Sequence, residues 1–367
     1  MNMNKKLFLV MFCLFFTIYS FSSDGHRSTS DESFLQEQSL RIVLQEPDPE
    51  FVLGESGNMF KYPEFWYPHG QGDPCVNGIL CYPVGIVHSA TAVPFVFLNH
   101  HLNFITNESV TFTGEDFPDP HYVWWRNSAD PNHTFMELFY APFFSSISVA
   151  TFFLISRAFK YKISTSLFLA FLLGLTTIFF SYSQTSYNNA PSVSFILLGF
   201  LFFKMFMDNQ KIFYSIISSI SLVFGFMIRP DAIYVIIPLF FLLTLSVIFQ
   251  KTWTLSAILH KIKKIVSFVI PLYLGYEFYR TIENMRSVVV DTTNNLGGEI
   301  NSIATTFGRG GQIYADLGHG LFGLLFSPGV GLFVYVPILL TVFFSFFDFF
   351  KKNKIFTVLF LVIPSIY

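Results

Sequence analysis

The stretch Ile163-Ser-Thr-Ser-Leu-Phe-Leu-Ala-Phe-Leu-Leu-Gly-Leu-Thr-Thr-Ile-Phe-Phe-Ser181-Tyr-Ser-Gln-Thr-Ser-Tyr-Asn-Asn-Ala-Pro191-Ser-Val-Ser-Phe-Ile-Leu-Leu-Gly-Phe-Leu-Phe-Phe203 runs for 41 residues without one charge. A single helix needs about 20 apolar residues to cross a bilayer. The stretch therefore reads as two spans. The polar turn formers from Ser181 to Pro191 mark the turn between them. Arg157, Lys160 and Lys162 precede it, and Lys204 and Lys211 follow. Basic residues stay in the cytoplasm, so both ends face inward and the turn faces out.

The same rule orders the rest of the chain. Lys5 and Lys6 stand before the apolar run Leu7 to Phe21, which reads as a retained anchor rather than a cleaved signal, because no small-x-small site follows it. Leu138 to Ser156 goes inward. Ile212 to Ile228 leads outward to Arg229-Pro230-Asp231, and Ala232 to Phe249 returns to Lys251, Lys261, Lys263 and Lys264. Ile265 to Tyr276 leads outward again, and Leu317 to Phe347 comes back to Lys351, Lys352 and Lys354. The final run from Ile355 to Tyr367 has 13 residues, short of the ~20 that a span needs. The chain is expected to stop mid-span. Val84 to Leu98 is apolar too, but if it crossed, the basic turn at 157–162 would fall outside. It is expected to be an interfacial or re-entrant helix.

Composition agrees with a membrane protein. Hydrophobic residues make up 52% of the 367 and charged residues 13%, with 50 Phe, too little polar surface to solvate a globule of this size. The net charge of −2 hides an asymmetry: 16 of the 24 acidic residues fall between Ser23 and Glu137, against four Lys and Arg. An acidic outer region excludes a nucleic-acid partner. The expected class is an all-α polytopic membrane protein. It divides into an anchor over 1–22, an extracytoplasmic loop over 23–137 with interfacial helices, and a multi-span bundle over 138–367. Cys75 and Cys81 lie six residues apart in the loop, where an oxidising compartment would allow a disulfide and a reducing one two free thiols.

Polar motifs collect at the outer boundary. Asp31 and Glu32 follow the first span closely enough for a carboxylate to reach both a lipid-borne phosphate and a soluble acceptor. The plainer role for Asp31 is to cap a helix running from Glu32 to Leu44. Arg229 and Asp231 flank a Pro between two spans, a depth at which ionisable groups are costly unless they face protein, water or a headgroup. The alternative there is an Arg that snorkels to ordinary lipid. Tyr187 and Asn188 sit in the middle turn. Ser327, Gly329 and Gly331 break an apolar stretch, where freed N–H groups can hold a phosphate or a sugar hydroxyl, or where the helix simply kinks. The nine His residues show no i, i+4 pair, so they are expected at surfaces and interfaces and no metal is assigned.

In order along the chain, Ser30-Asp31-Glu32, Tyr82-Pro83-Val84-Gly85 with Ala92-Val93-Pro94-Phe95, Tyr182 to Pro191, Arg229-Pro230-Asp231 and Phe326-Ser327-Pro328-Gly329-x-Gly331-Leu332-Phe333 resemble the integral-membrane glycosyltransferases of the GT-C fold. The likeness is to the protein-mannosyltransferase-like and aminoarabinose-transferase-like branch. Fewer spans and a longer loop from Phe51 to Glu137 depart from that pattern. The resemblance implies transfer of a sugar from a polyprenyl-phosphate donor to a hydroxyl of a protein, lipid or glycan acceptor, on the extracytoplasmic side of the cell membrane. It implies Asp31 as general base with Glu32 orienting it. Arg229, Asp231, Tyr187, Asn188, Ser327, Gly329 and Gly331 would then contact substrate. No cofactor is certain, although a carboxylate pair is also chemistry that binds a divalent metal. The competing expectation is a transporter, flippase or lipid-linked-sugar binder without transferase activity. A transporter would place ionisable groups near the middle of its spans, and the spans here are nearly free of charge.

Overall fold

The computed structural model describes residues 3–23, 35, 39, 74–75, 79–80, 86–102, 131–177, 179–248, 255–286, 349–353 and 356–357. The described elements are α1 (Met3–Ser22), β1 (Pro74–Cys75), β2 (Ile79–Leu80), α2 (Ile86–Leu102), α3 (Pro131–Ala158), α4 (Ile163–Thr176), α5 (Phe179–Tyr182), α6 (Asn189–Asn209), α7 (Ile212–Ile228), a 3-10 turn (Pro230–Ala232), α8 (Ile233–Ile248) and α9 (Leu255–Arg286). Among the described residues, four helices are long and apolar enough to cross a membrane: Met3–Ser22, Phe135–Ala158, Asn189–Asn209 and Pro230–Ile248. The protein is an all-α membrane protein, and among the described residues the strands amount to one two-residue antiparallel ladder that pairs Cys75 with Ile79.

The chain divides into two compact units. One comprises residues 1–49, 82–280 and 358–367, and the other 50–81 and 281–357. The first holds the helical bundle. The second holds, among the described residues, the β1–β2 ladder, the last turns of α9 and a helical turn at 349–352.

In the bundle, α1 packs on α3, α3 on α4 and α6, and α6 on α7. One core cluster joins Met11, Phe15 and Tyr19 of α1 to Val149, Ala150 and Phe153 of α3, with Ala170 of α4 and Phe179 of α5. Lipid tails are as apolar as these side chains, so close approach and hydrogen bonding must hold the helices together. Small residues provide the approach. A Cβ on Gly199 would lie 2.6 Å from Leu222 Cγ, and one on Gly275 would lie 2.2 Å from Val223 Cγ1. Serines provide the bonds. Ser148 and Ser194 hydroxyls meet at 2.8 Å between α3 and α6, while Ser192 and Ser218 each bridge α6 and α7 by donating to the carbonyls of Gly225 (3.1 Å) and Gly199 (2.8 Å). Ser267 of α9 donates to Ser215 of α7 at 3.0 Å. Such bonds average only about 0.6 kcal/mol each in membranes. Their spread over four helices makes them specify neighbours rather than dominate stability.

The decisive 41-residue stretch folds as α4, α5 and α6, with the expected turn between α5 and α6. Its first half is not one helix, however. Thr177 takes an extended conformation (φ −112°, ψ 169°) and separates α4 from α5. The freed backbone groups are taken up locally: Thr177 Oγ1 donates to the Leu173 carbonyl (2.7 Å) and accepts from the Phe179 N–H (3.1 Å). Hydroxyls that replace lost ladder bonds are what make a break tolerable at membrane depth. Helix α3 begins at Pro131, a favoured first position, so Glu137 lies inside a helix rather than at the end of the preceding loop.

Helix α2 covers most of the apolar run expected to be interfacial. Its His88, Thr91 and Phe95 meet Tyr140 of α3, and Phe95 also meets Phe143. His88, expected at a surface or interface, is 5% exposed. Its Nε2 has no hydrogen-bond partner among the described residues. The reason is packing of α2 against α3 and α7, where Val87 joins Val223, Met227 and Ile228.

Side-chain ties distinguish the two ends of the bundle. At one, Arg157 Nε donates to Asn4 Oδ1 (3.4 Å), and Lys204 pairs with Asp208 beneath the Phe159 ring. At the other, Ser23 Oγ donates to the Glu137 carbonyl (3.2 Å) and Ser186 Oγ donates to Glu137 Oε2 (2.9 Å). Arg157 and Lys204 thus sit at the opposite end of the bundle from Glu137 and Ser186.

Candidate functional site

The order Arg229-Pro230-Asp231 encodes a helix stop and restart. A residue before proline is pushed out of the α region, and Arg229 is extended at φ −140°, ψ 111°. Its N–H still closes the last turn of α7 on the Gly225 carbonyl (2.9 Å), and its own carbonyl accepts from Ala232 (3.0 Å). Pro230 then opens the 3-10 turn that leads into α8. The two charged side chains fold back past the proline onto each other. Arg229 Nη2 stands 2.6 Å from Asp231 Oδ2, and Nε donates to Oδ1 at 3.1 Å.

This two-pronged geometry is among the stronger charge-assisted arrangements. At 34% and 29% side-chain exposure, water screening leaves the pair a small net stabiliser. Its interest is geometric: Nε and Nη2 are committed to the carboxylate, and Nη1 has no partner among the described residues.

Opposite this junction stands the start of α6. Asn188 caps it from the α conformation, with its carbonyl accepting from Ser192 N–H at 3.1 Å and no side-chain cap bond. The Ser192 hydroxyl donates in turn to the Gly225 carbonyl, one turn before Arg229. The start of α6 is therefore tied to the end of α7. The space between is a pocket of about 550 Å³ lined by Asn188, Asn189, Arg229, Pro230, Asp231 and Tyr234. That size suits a small-molecule group. Asn189 Oδ1 is buried and has no hydrogen-bond partner among the described residues.

The lining combines one guanidinium, one carboxylate, two carboxamides and one phenol ring. It can accept bonds from hydroxyls and donate to an anionic oxygen. The start of α6 adds the positive end of its helix dipole.

Of the residues singled out from sequence, Arg229, Asp231 and Asn188 come together in this pocket. Tyr187, half-buried, is not among its lining residues. Asp31, Glu32, Ser327, Gly329 and Gly331 lie outside the described residues. Asn189, noted only as part of the polar turn, Tyr234 and Glu137 were not singled out as site residues. The doublet Asn188-Asn189 and an aromatic one turn past the Arg-Pro-Asp break were the available signals for the first two. For Glu137 the signal was an acid one residue before an uncharged run. Among the described residues, no group of three His, Cys, Asp or Glu side chains stands close enough to hold a metal ion.

No curated protein and no solved structure matches the chain. Residues 135–272, which contain Glu137 and every residue lining the pocket, match the family model of the dolichyl-phosphate-mannose-protein mannosyltransferases, consistent with a membrane glycosyltransferase of the GT-C type.

Proposed function

We propose that the protein transfers a sugar, mannose by analogy with the matched family, from a polyprenyl-phosphate carrier to an acceptor hydroxyl at the extracytoplasmic face. The family match suggests a mannosyltransferase-type membrane glycosyltransferase. In the reaction the acceptor oxygen bonds to the anomeric carbon as the bond from that carbon to the phosphate oxygen breaks. The acceptor proton passes to a carboxylate, and the phosphate leaves on its lipid with one more negative charge.

Asp31 is the base in this reading, and Glu32 orients it. The free Nη1 edge of Arg229 and the N-terminal turn of α6 hold the leaving phosphate, where a preorganised donor contributes most as charge develops. Asn188 and Asp231 face the sugar hydroxyls. Tyr187, Ser327, Gly329 and Gly331 complete the substrate contacts. A protein hydroxyl is the acceptor by the same analogy, and a lipid or glycan hydroxyl serves the same chemistry.

The observation that carries the reading is the pocket itself. Two span junctions separated by some forty residues bring an Arg, an Asp and two Asn together at the end of the bundle opposite Arg157 and Lys204. A transporter would instead hold its ionisable groups near mid-span, and Glu137, Arg229 and Asp231 all lie near helix ends.

The test uses the full chain reconstituted in vesicles with radiolabelled dolichyl-phosphate mannose and a mixed protein, lipid and glycan acceptor fraction. Label should move from the carrier to an acceptor with wild type and not with Asp31→Asn. Label that crosses the bilayer yet stays on the carrier would replace transfer with flipping, and label that does neither would end the donor assignment.

A further inference from the structure

A carboxyl group held 2% exposed near the end of a membrane-spanning helix is expensive to keep unless its polar atoms are bonded. The proposed reaction leaves Glu137 without a role. Its bonds indicate one. Oε2 accepts from the hydroxyl of Ser186 at 2.9 Å in a buried setting. Ser186 belongs to the connection between α5 and α6, and two residues further on the same connection delivers Asn188 and then Asn189 to the pocket.

On its α5 side that connection is held by short-range bonds, Ser183 N–H to the Phe179 carbonyl (3.1 Å) and Gln184 N–H to the Ser181 carbonyl (3.1 Å). Neither reaches another helix. The Ser186–Glu137 bond spans 49 residues and ties the connection to α3, itself fixed in the core through Tyr140, Val149 and Phe153. A hydroxyl–carboxyl bond in a site shielded from water is costly to break, because both groups would be left buried without that partner. It suits holding a loop that must present side chains at a set height.

We propose that Glu137 is a positioning residue of the pocket: its buried carboxyl group, through Ser186, holds the α5–α6 connection so that Asn188 and Asn189 stand opposite Arg229 and Asp231. It touches no substrate and acts through the loop. The inference rests on the pocket being the donor site only for its readout in binding. The tether itself is open to test without any donor.

Two measurements on the full chain in nanodiscs separate these points, with Glu137→Ala, Glu137→Gln, Ser186→Ala and the double Glu137→Ala/Ser186→Ala variant. In hydrogen exchange, amides of residues 183–189 should exchange about tenfold faster in Ser186→Ala and in Glu137→Ala. Exchange in the α3 core around Val149 should stay unchanged. In binding, dolichyl-phosphate mannose should be held about tenfold more weakly by either alanine variant. The double variant should be no worse than the worse single one, because two members of one bond do not add. Glu137→Gln keeps an acceptor oxygen for Ser186, and its affinity should stay within about threefold of wild type.

Unchanged exchange at 183–189 in Ser186→Ala overturns the proposal, as do alanine effects on binding that simply multiply. If Glu137→Ala fails to fold, Ser186→Ala carries both measurements. If wild type does not bind dolichyl-phosphate mannose, the donor assignment fails while the exchange result still decides the tether.

Discussion

Arg229 and Asp31 are the two residues on which the proposed chemistry turns, and they call for different substitutions. Arg229 already gives Nε and Nη2 to Asp231, so a bound phosphate meets the remaining Nη1 edge. Arg229→Ala removes a charge-assisted bond worth about 1.5–3 kcal/mol. Titration with dolichyl-phosphate mannose should show affinity falling roughly tenfold to a hundredfold. Arg229→Lys restores charge but not the fork that can serve Asp231 and a ligand together, so recovery should be partial. Equal affinity in wild type and Arg229→Ala would reduce the residue to a lipid anchor. For Asp31 the informative change is to Asn, which caps a helix about as well as Asp yet cannot take a proton. Transfer should drop by about two to four orders of magnitude with donor binding and melting temperature near wild type. If Asp31 were a cap alone, Asn would be silent and Asp31→Ala would cost ~1 kcal/mol of stability.

Among the elements, α6 and α7 form the frame of the pocket, because their opposite ends carry Asn188 and Arg229 and their interface fixes the distance between them. That interface is close at Gly199, where an added Cβ would lie 2.6 Å from Leu222 Cγ and 3.2 Å from the Ser218 carbonyl. Gly199→Ala should therefore overpack the pair and lower stability by about 1–3 kcal/mol, read as a fall in melting temperature in detergent. Adding Leu222→Ala should return part of the loss, since the closest clash is with that side chain. A Gly199→Ala protein as stable as wild type would mean the helices separate at little cost. Helix α2 makes a second test at this scale. Read as interfacial because the basic turn at 157–162 must stay inside, it should leave the chain after it on the side from which it came. A cysteine placed at Thr113 in a background without Cys13, Cys75 and Cys81 should react with an impermeant thiol reagent from outside intact cells. Reaction only after permeabilisation would make α2 a span and invert everything downstream of it.

For the molecule as a whole, the separation of a basic end from a polar end is the property that makes a membrane-boundary site available. Arg157, Lys204 and the start of α1 meet at one end, and Ser23, Glu137, Ser186, Asn188 and Arg229 gather at the other. Between α3, α6 and α7 the contacts include neutral hydroxyls at Ser148, Ser194, Ser192 and Ser218, which keep those helices in register without placing a charge at mid-span. Moving a charge inward should be far more damaging than at either end: Ser194→Asp, between α3 and α6, would strand a carboxylate beside Ser148 and should abolish accumulation of folded protein. A well-folded Ser194→Asp variant would show water reaching the centre of the bundle, as the transporter reading requires.

The helical, membrane-spanning class and the two polar junctions at Asn188 and Arg229 were readable from the chain because a bilayer imposes a length of apolar residues and a side for lysine and arginine, and neither depends on which helix packs on which. Ile212–Ile228 and the turn before Asn189 follow from those rules directly. Arg229, Asp231 and Asn188 were recognisable for the same reason, as polar groups in a place where polarity is costly. Their meeting was not. That Asn188 faces Arg229, that Ser186 reaches Glu137 49 residues away, and that His88 is buried against Tyr140 all depend on which serine and glycine faces let two helices approach. The break at Thr177 likewise looks like any threonine in an apolar run until its hydroxyl is seen bonding on both sides. Local composition determined where the chain meets the membrane boundary; contacts between residues far apart in sequence decided which of those boundary groups share a site.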